Sequence, residues 1–212
     1  MGSMDRLNRG RGHITQLMIA FIFTWGAIAA FVPPSLAIDI GSKLSGFQSG
    51  SQSMAMVNGS QSLDISSKLL VFVFWSFKCP VALSYNDRIN GLQDKYFNKG
   101  VVVFGVASAA NETQAEIRAN IANLNLKVPV LLDAEGKFAE LLGATHSPGV
   151  FVFDEDGILR YRGAMDNNKK VGENGRVAYV EDAIDAILAK RPVAPSETRL
   201  FGCSIRRHGV KE

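Results

Sequence analysis

Two uncharged, β-prone runs constrain this chain most: Leu69–Trp75 (LLVFVFW) and Val101–Ala107 (VVVFGVA). Neither alternates apolar with polar residues. A strand that is apolar at every position is buried on both faces, the pattern of strands inside a parallel sheet. Two parallel strands need a crossover between them. Pro80–Phe97 supplies one: Val81, Tyr85, Ile89, Leu92 and Tyr96 recur at helical spacing, and Asn98-Lys99-Gly100 ends the run. The three segments predict a βαβ unit.

The rest of the pattern extends it. A second amphipathic helix is expected over 113–124, a short strand over 128–132, and a short helix over 138–142 closed by Gly143. Strands over 150–153 and 158–161 flank Asp154-Glu155-Asp156-Gly157, which reads as a hairpin turn. That acidic run lacks the spaced ligands and terminal Glu of a calcium loop. A last helix over 176–190 turns Val180, Ala183, Ile184, Ile187 and Leu188 inward. The order β-α-β-α-β-(α)-β-β-α predicts an α/β fold: a central mixed sheet with flanking helices, a βαβ unit followed by a ββα unit.

The segments before the domain have a different character. Arg6, Arg9 and Arg11 precede a stretch without charge from Ile14 to Ile38, which ends in Pro33-Pro34-Ser35-Leu36-Ala37. This is the pattern of a secretory signal cleaved near Ala37. The run is also about as long as the roughly 20 residues a membrane-spanning helix needs. A retained anchor, attaching the chain to a membrane through residues 14–32, therefore stays open. Under either reading the domain is exported. Residues 38–66 are rich in Gly, Ser and Gln and read as a linker and N-terminal extension, with a weak strand or hairpin around Asn58-Gly59. The expected layout is 1–37 signal or anchor, 38–66 linker, 67–190 domain and 191–212 tail. The formal charge is +3, and three arginines against one aspartate fall in the leader. The domain is thus close to neutral, which gives no case for nucleic-acid binding.

There are two cysteines, Cys79 and Cys203, too few for a disulfide scaffold or a zinc finger and enough for one redox couple. Cys79 lies in Phe74-Trp75-Ser76-Phe77-Lys78-Cys79-Pro80, where a buried strand meets a helix. The first turn of a helix presents unpaired N–H groups and the positive end of the macrodipole. A thiolate there is stabilised, and adjacent Lys78 acts in the same direction. Pro80 suits the first helical position because its missing N–H has no partner to lose. Trp75 is expected to pack, and before a reactive cysteine it would shield the thiolate. Downstream, Thr145-His146-Ser147-Pro148-Gly149 enters the strand 150–153. Pro148 reads as an edge residue or as a cis-proline. His146 reads as a solvated loop residue or as a proton carrier near Cys79. Arg88 is expected in a surface or tail-facing ion pair of little worth, and Asn167–Gly175 in a mobile loop.

These residues resemble the thioredoxin fold over roughly 40–190. More narrowly, CPVALSYNDRI (Cys79–Ile89), SPGVFVFDEDGILRYRGAMDN (Ser147–Asn167) and ETRLFGCSIRR (Glu197–Arg207) resemble the peroxiredoxin-like branch of exported proteins, the alkyl hydroperoxide reductase/thiol-specific antioxidant or redoxin group. The resemblance implies an oxidoreductase acting through Cys79, with Trp75, Ser76, Lys78, Pro80, His146 and Pro148 around it. It implies no cofactor and no metal. Its partners would be a peroxide or protein disulfide substrate and an external thiol reductant. Two departures leave the reaction open. The Cys-x-x-Cys of disulfide oxidoreductases is absent, with Ala82 at the fourth position. Of the peroxidase pattern, Ser76 and Cys79 fit, but Phe72 stands at the Pro position and the distant Arg is replaced around Pro148.

Cys203 lies in a basic ending expected to be flexible (Arg199, Arg206, Arg207, His208, Lys211). It reads as a resolving cysteine that closes a Cys79–Cys203 disulfide after reaction at Cys79. The competing reading is a permanent staple in an oxidising compartment, leaving a redox-inactive binding module. A third class is a copper carrier using Cys79, Cys203 and His146, although the short ligand spacing of such carriers is missing.

Overall fold

The computed structural model describes residues 37–44, 56–57 and 68–207, all within the unit Ser35–Glu212. The leader, most of the 38–66 segment with its Asn58-Gly59 turn, and residues 208–212 lie outside them. Among the described residues no helix is long and apolar enough to cross a membrane.

In chain order the elements are β1 (Leu69–Phe74), α1 (Pro80–Leu83), α2 (Asn86–Tyr96), β2 (Val101–Ala107), α3 (Gln114–Asn123), β3 (Val130–Leu132), α4 (Lys137–Leu142), β4 (His146–Ser147), β5 (Gly149–Phe153), β6 (Leu159–Gly163), α5 (Tyr179–Leu188) and β7 (Cys203–Ser204). The main sheet runs β3-β2-β1-β5-β6. β2 pairs in parallel with both β1 and β3, while β5 runs antiparallel to β1 and β6. This is the α/β mixed sheet the two apolar runs predict. β1 is buried at all six positions.

The run of β1 hides a chemical alternation. Val71 and Val73, with Val150 and Val152 of β5, face a core built with α2, α3 and α5. Phe72 and Phe74, with Phe151 and Phe153, face the other core, closed by α4 and by Ile38, Ile40 and Leu44. Small valines let three helices approach the sheet. Large rings fill the face that has one short helix. Phe72 contacts the rings of Phe104, Phe138 and Phe153 at 5.0–5.8 Å, geometry worth about 0.5–1.5 kcal/mol per aromatic pair beyond area burial.

Three expectations are corrected. The single helix over 80–97 is two helices. Ser84 closes α1, and Tyr85 leaves helical geometry at φ −96° and ψ 0° before α2 begins. The break turns Tyr85 fully inward, where its hydroxyl donates to buried Asp166 at 2.7 Å. The last helix starts at Tyr179, so Arg176 lies in the preceding loop. The described part of the tail, 191–207, is docked along the domain instead of flexible. Arg162 N–H donates to Ser196 O, Thr198 N–H to Arg162 O and Ile205 N–H to Thr145 O, and β7 pairs with β4. Gly163 makes room for this, since at φ +149° a side chain there would run into Thr198. Of the expected weak strand or hairpin around Asn58-Gly59, Met56 bridges Leu131 and Val57 N–H donates to Val130 O, so these two described residues extend the β3 edge.

Candidate active site at the β1–α1 junction

Cys79 and Cys203 form a disulfide with their Cα atoms 5.9 Å apart, 124 residues apart in sequence. Two elements bring them together. β1 ends beside β5, which places Cys79 next to the segment Ser147-Pro148. β7 pairs antiparallel with β4, setting Cys203 opposite Ser147 and Ser204 opposite His146. The Ser147–Pro148 peptide is cis, as one reading of that Pro predicts.

Cys79 is the N-cap of α1, with Pro80 at the first helical position. Ala82 N–H donates to Cys79 Sγ at 3.4 Å, and the Ser147 carbonyl oxygen lies 3.3 Å from the same sulfur. Because α1 is a single turn, a macrodipole summed over several turns is not available here. Stabilisation of a thiolate falls to the one amide of Ala82.

The preceding loop is fixed from two sides. Ser76 N–H donates to Ser147 Oγ at 2.7 Å, and Cys79 N–H to Ser76 O at 3.2 Å. Ser76 Oγ donates to the Glu112 carboxylate, which also accepts from Lys78 N–H at 3.1 Å. Lys78 is directed away from the sulfur. Its ammonium donates to Asn111 O at 2.6 Å and pairs with Glu116 at 2.9 Å. The expected push of Lys78 on the thiolate therefore gives way to an anchoring role on the loop before α3. Glu116 closes a capping box with Thr113. The Thr113 amide, then Lys78, then the Thr113 hydroxyl hold its carboxyl down at about 2. Trp75 packs as expected, 2% exposed and tilted against Phe77. His146 is half-buried in β4, and its Nδ1 lies 2.9 Å from Thr145 Oγ1. It is a strand residue, which replaces the loop expectation.

A second cluster supports the site and was not anticipated. Asp166 is fully buried and accepts from Tyr85 OH, from Arg88 Nη1 at 2.9 and 3.1 Å, and from Arg176 Nε at 3.3 Å. Arg88 also lies 4.3 Å over the Tyr85 ring. Burial first, then the bond to Asp166, pushes the Tyr85 hydroxyl well above the usual tyrosine value. Arg88 is thus a half-buried partner of Asp166, where a surface or tail-facing pair of little worth is expected from sequence. Phe201 of the tail packs on the Tyr85 ring at a 6.1 Å centroid distance. Both cysteines are in the disulfide, and among the described residues no group of three or more His, Cys, Asp or Glu is placed to hold a metal ion. Glu112, Ser147, Asp166 and Arg176 are the residues sequence reasoning missed. Glu112 lies just before one predicted helix and Arg176 opens another, which masked their roles.

A thiol site at the end of the central strand of this mixed sheet, facing a cis-proline, defines a protein of thioredoxin-like fold. The chain belongs to the Redoxin family, whose model matches residues 47–183. A thiol-disulfide oxidoreductase ResA from Bacillus thuringiensis is 30% identical over 94 residues, 44% of this chain and 53% of that protein. A thiol:disulfide interchange protein DsbE from Tatumella citrea is 32% identical over 112 residues, 53% of this chain and 58% of that protein. The chain thus spans a little over half the length of these curated relatives. Among solved structures, an uncharacterized conserved protein from Geobacillus kaustophilus aligns with a TM-score of 0.69 at 21% identity, covering 82% of this chain and 94% of its own. A putative thiol:disulfide interchange protein DsbE from Chlorobium tepidum gives 0.56 at 20% identity, over 72% and 99%. These two share the fold.

Proposed function

We propose that this chain is an exported thiol–disulfide oxidoreductase in which Cys79 is the nucleophile and Cys203 resolves the intermediate. The observation that carries the reading is the Cys79–Cys203 disulfide with Cys79 at the N-cap of α1. In the dithiol state the Cys79 thiolate attacks a protein disulfide. A mixed disulfide forms, and the displaced substrate sulfur leaves as a thiolate and takes a proton. Cys203, as thiolate, attacks the Cys79 sulfur and releases the second substrate thiol. Two electrons pass to the substrate and the Cys79–Cys203 disulfide closes. An external thiol reductant restores the dithiol. The relatives named as thiol–disulfide proteins support this direction. The uncharged stretch from Ile14 to Ile38 supports export, by cleaved signal or retained anchor.

Peroxide reduction has weaker support. The Ser76 hydroxyl, which fits the peroxidase pattern, is committed to Glu112, and Arg88 and Arg176 are committed to Asp166. The test compares reduction of insulin by dithiothreitol with hydrogen-peroxide consumption, for the wild type and Cys79→Ser. The expected result is accelerated insulin reduction that Cys79→Ser abolishes, with peroxide loss equal for both proteins. Wild type no faster than Cys79→Ser on insulin would end the proposal. Cys79-dependent peroxide turnover without insulin reduction would transfer the site to the peroxidase reading. Alkaline phosphatase fused after residue 66 tests export, with activity expected and inactivity of a stably expressed fusion refuting it.

A further inference from the structure

The tail is attached in two parts of different kind. Residues 196–198 are held to β6 without the disulfide. Arg162 N–H donates to Ser196 O at 3.0 Å, and Thr198 N–H to Arg162 O at 3.1 Å. Thr198 Oγ1 accepts from Ala164 N–H at 3.0 Å and meets Tyr161 OH at 2.6 Å, while Arg162 pairs with Glu197 at 2.9 Å. The distal part is held by side-chain packing, a short strand pairing and the disulfide: Phe201 packs on Tyr85, and Phe201, Cys203 and Ile205 lie against the two cores. β7 is two residues long, and among the described residues it pairs with β4 alone and β4 with β7 alone. Ile205 N–H donates to Thr145 O, and Ala110 N–H to Arg206 O. Two-residue pairing is marginal without other support, and here the covalent link at Cys203 and the packing of Phe201 and Ile205 supply it.

The position of the distal part is specific. It forms a strand antiparallel to β4, its cysteine opposite Ser147 and bonded to Cys79, its backbone drawn against the Ser147 carbonyl. Gly202, at φ +121°, permits that approach, because a Cβ there would collide with Ser147 O. A cysteine-bearing extended segment in mixed disulfide with Cys79 needs this same edge, since Ser147 O lies 3.3 Å from the Cys79 sulfur. A free two-residue edge with open N–H and C=O groups is a template for strand addition. The two cysteines also differ in exposure. Cys79 is 1% exposed, whereas Cys203 keeps an intermediate share of its surface.

We propose, resting on the thiol–disulfide reading above, that residues 199–206 are a self-inhibitory occupant of the substrate edge β4, and that the reductant opens the site by attacking Cys203. One thiolate of a dithiol reductant attacks Cys203 Sγ. The Cys79–Cys203 bond breaks, a reductant–Cys203 disulfide forms, and Cys79 leaves as a thiolate accepting from Ala82 N–H. The second thiolate of the reductant then attacks its own sulfur in that mixed disulfide, and Cys203 leaves as a thiolate. The reductant departs oxidised by two electrons. With the covalent link gone, residues 199–206 leave β4 while residues 196–198 stay on β6. An extended cysteine-bearing segment of a protein substrate takes the vacated edge.

Three measurements on the full chain test this. The oxidised protein is treated briefly with the monothiol glutathione, quenched in acid and mapped by mass spectrometry. The adduct is expected on Cys203, and an adduct on Cys79 would overturn the entry point. Hydrogen exchange is then compared between the oxidised and dithiothreitol-reduced protein. The Ile205 amide is expected to exchange at least about tenfold faster after reduction, with Thr198 unchanged. Equal protection of Ile205 in both states would overturn release. Finally, the nonapeptide of residues 199–207, carrying its cysteine as a mixed disulfide with thionitrobenzoate, is mixed with reduced Cys203→Ser protein. Attack by Cys79 is expected to release the coloured thiolate about tenfold faster than from a scrambled nonapeptide. Equal rates would overturn the edge as a docking site. The first two measurements use no protein substrate, so they fail or hold independently of the insulin assay.

Discussion

Replacing Asp166 by Ala tests how the site is supported. Its carboxylate is fully buried and accepts hydrogen bonds from Tyr85, Arg88, Asn168 N–H and Arg176. The Arg88 and Arg176 side chains are 14% and 16% exposed, so neither recovers full hydration when the acceptor is lost. Removing one member of a buried ion pair costs about 3–5 kcal/mol, because the partner is left uncompensated. The Tyr85 hydroxyl adds about 1–3 kcal/mol if it finds no other acceptor. Neighbouring losses in one network do not add, so the expected total is about 3–5 kcal/mol. Against a usual stability of about 5–15 kcal/mol, this is a large fraction. For a chain of this size it lowers Tm by about 6–20 °C. Thermal unfolding of the oxidised protein, followed by circular dichroism, measures it. Asp166→Asn keeps the shape and fewer of the bonds, and should fall between. A loss under about 1 kcal/mol, the worth of an exposed pair, would refute the claim that the cluster acts as a buried unit.

Reduction of the disulfide, which closes a loop of 124 residues, is expected to lower unfolding stability by about 5 kcal/mol from chain entropy; urea unfolding with and without dithiothreitol reads this, and a difference under about 1 kcal/mol would contradict it. Ser147→Ala removes the buried acceptor of Ser76 N–H and should cost about 1–3 kcal/mol, measured by the same unfolding. The Glu116 carboxyl is depressed from 4.5 to about 2. Its contribution is therefore present above its unfolded pKa and is lost as pH falls through the folded value; carbon-detected NMR titration should find the midpoint near 2, and Thr113→Ala should raise it.

What the sequence made legible is local. Val71, Phe72, Val73 and Phe74 declare a strand buried on both faces by their own composition, and Pro80 and Gly143 mark helix ends by backbone chemistry. Cys79 stands out because a thiol at a strand-to-helix junction is chemically distinct wherever the rest of the chain goes. The Asp166 cluster was illegible for the opposite reason. Its partners Tyr85 and Arg88 lie 81 and 78 residues away, and no periodicity encodes a polar contact of that range. The break at Ser84-Tyr85 was hidden too, because the 80–97 spacing fits one helix as well as two. What decides between them is the buried acceptor that Tyr85 must reach.

With Ala82 at the fourth position, the sequence holds no local dithiol on the first helical turn. The fold completes the pair from the other end of the chain. In a Cys-x-x-Cys arrangement both sulfurs ride one helix turn, so oxidation changes little around them. Here Ala82 takes the fourth position and uses its amide on the Cys79 sulfur, while the second sulfur arrives on β7. In the proposed exchange, each redox change at Cys79 is coupled to whether β7 lies on β4. The switch proposed above would tie electron transfer to access through the two residues, His146 and Ser147, that pair with β7.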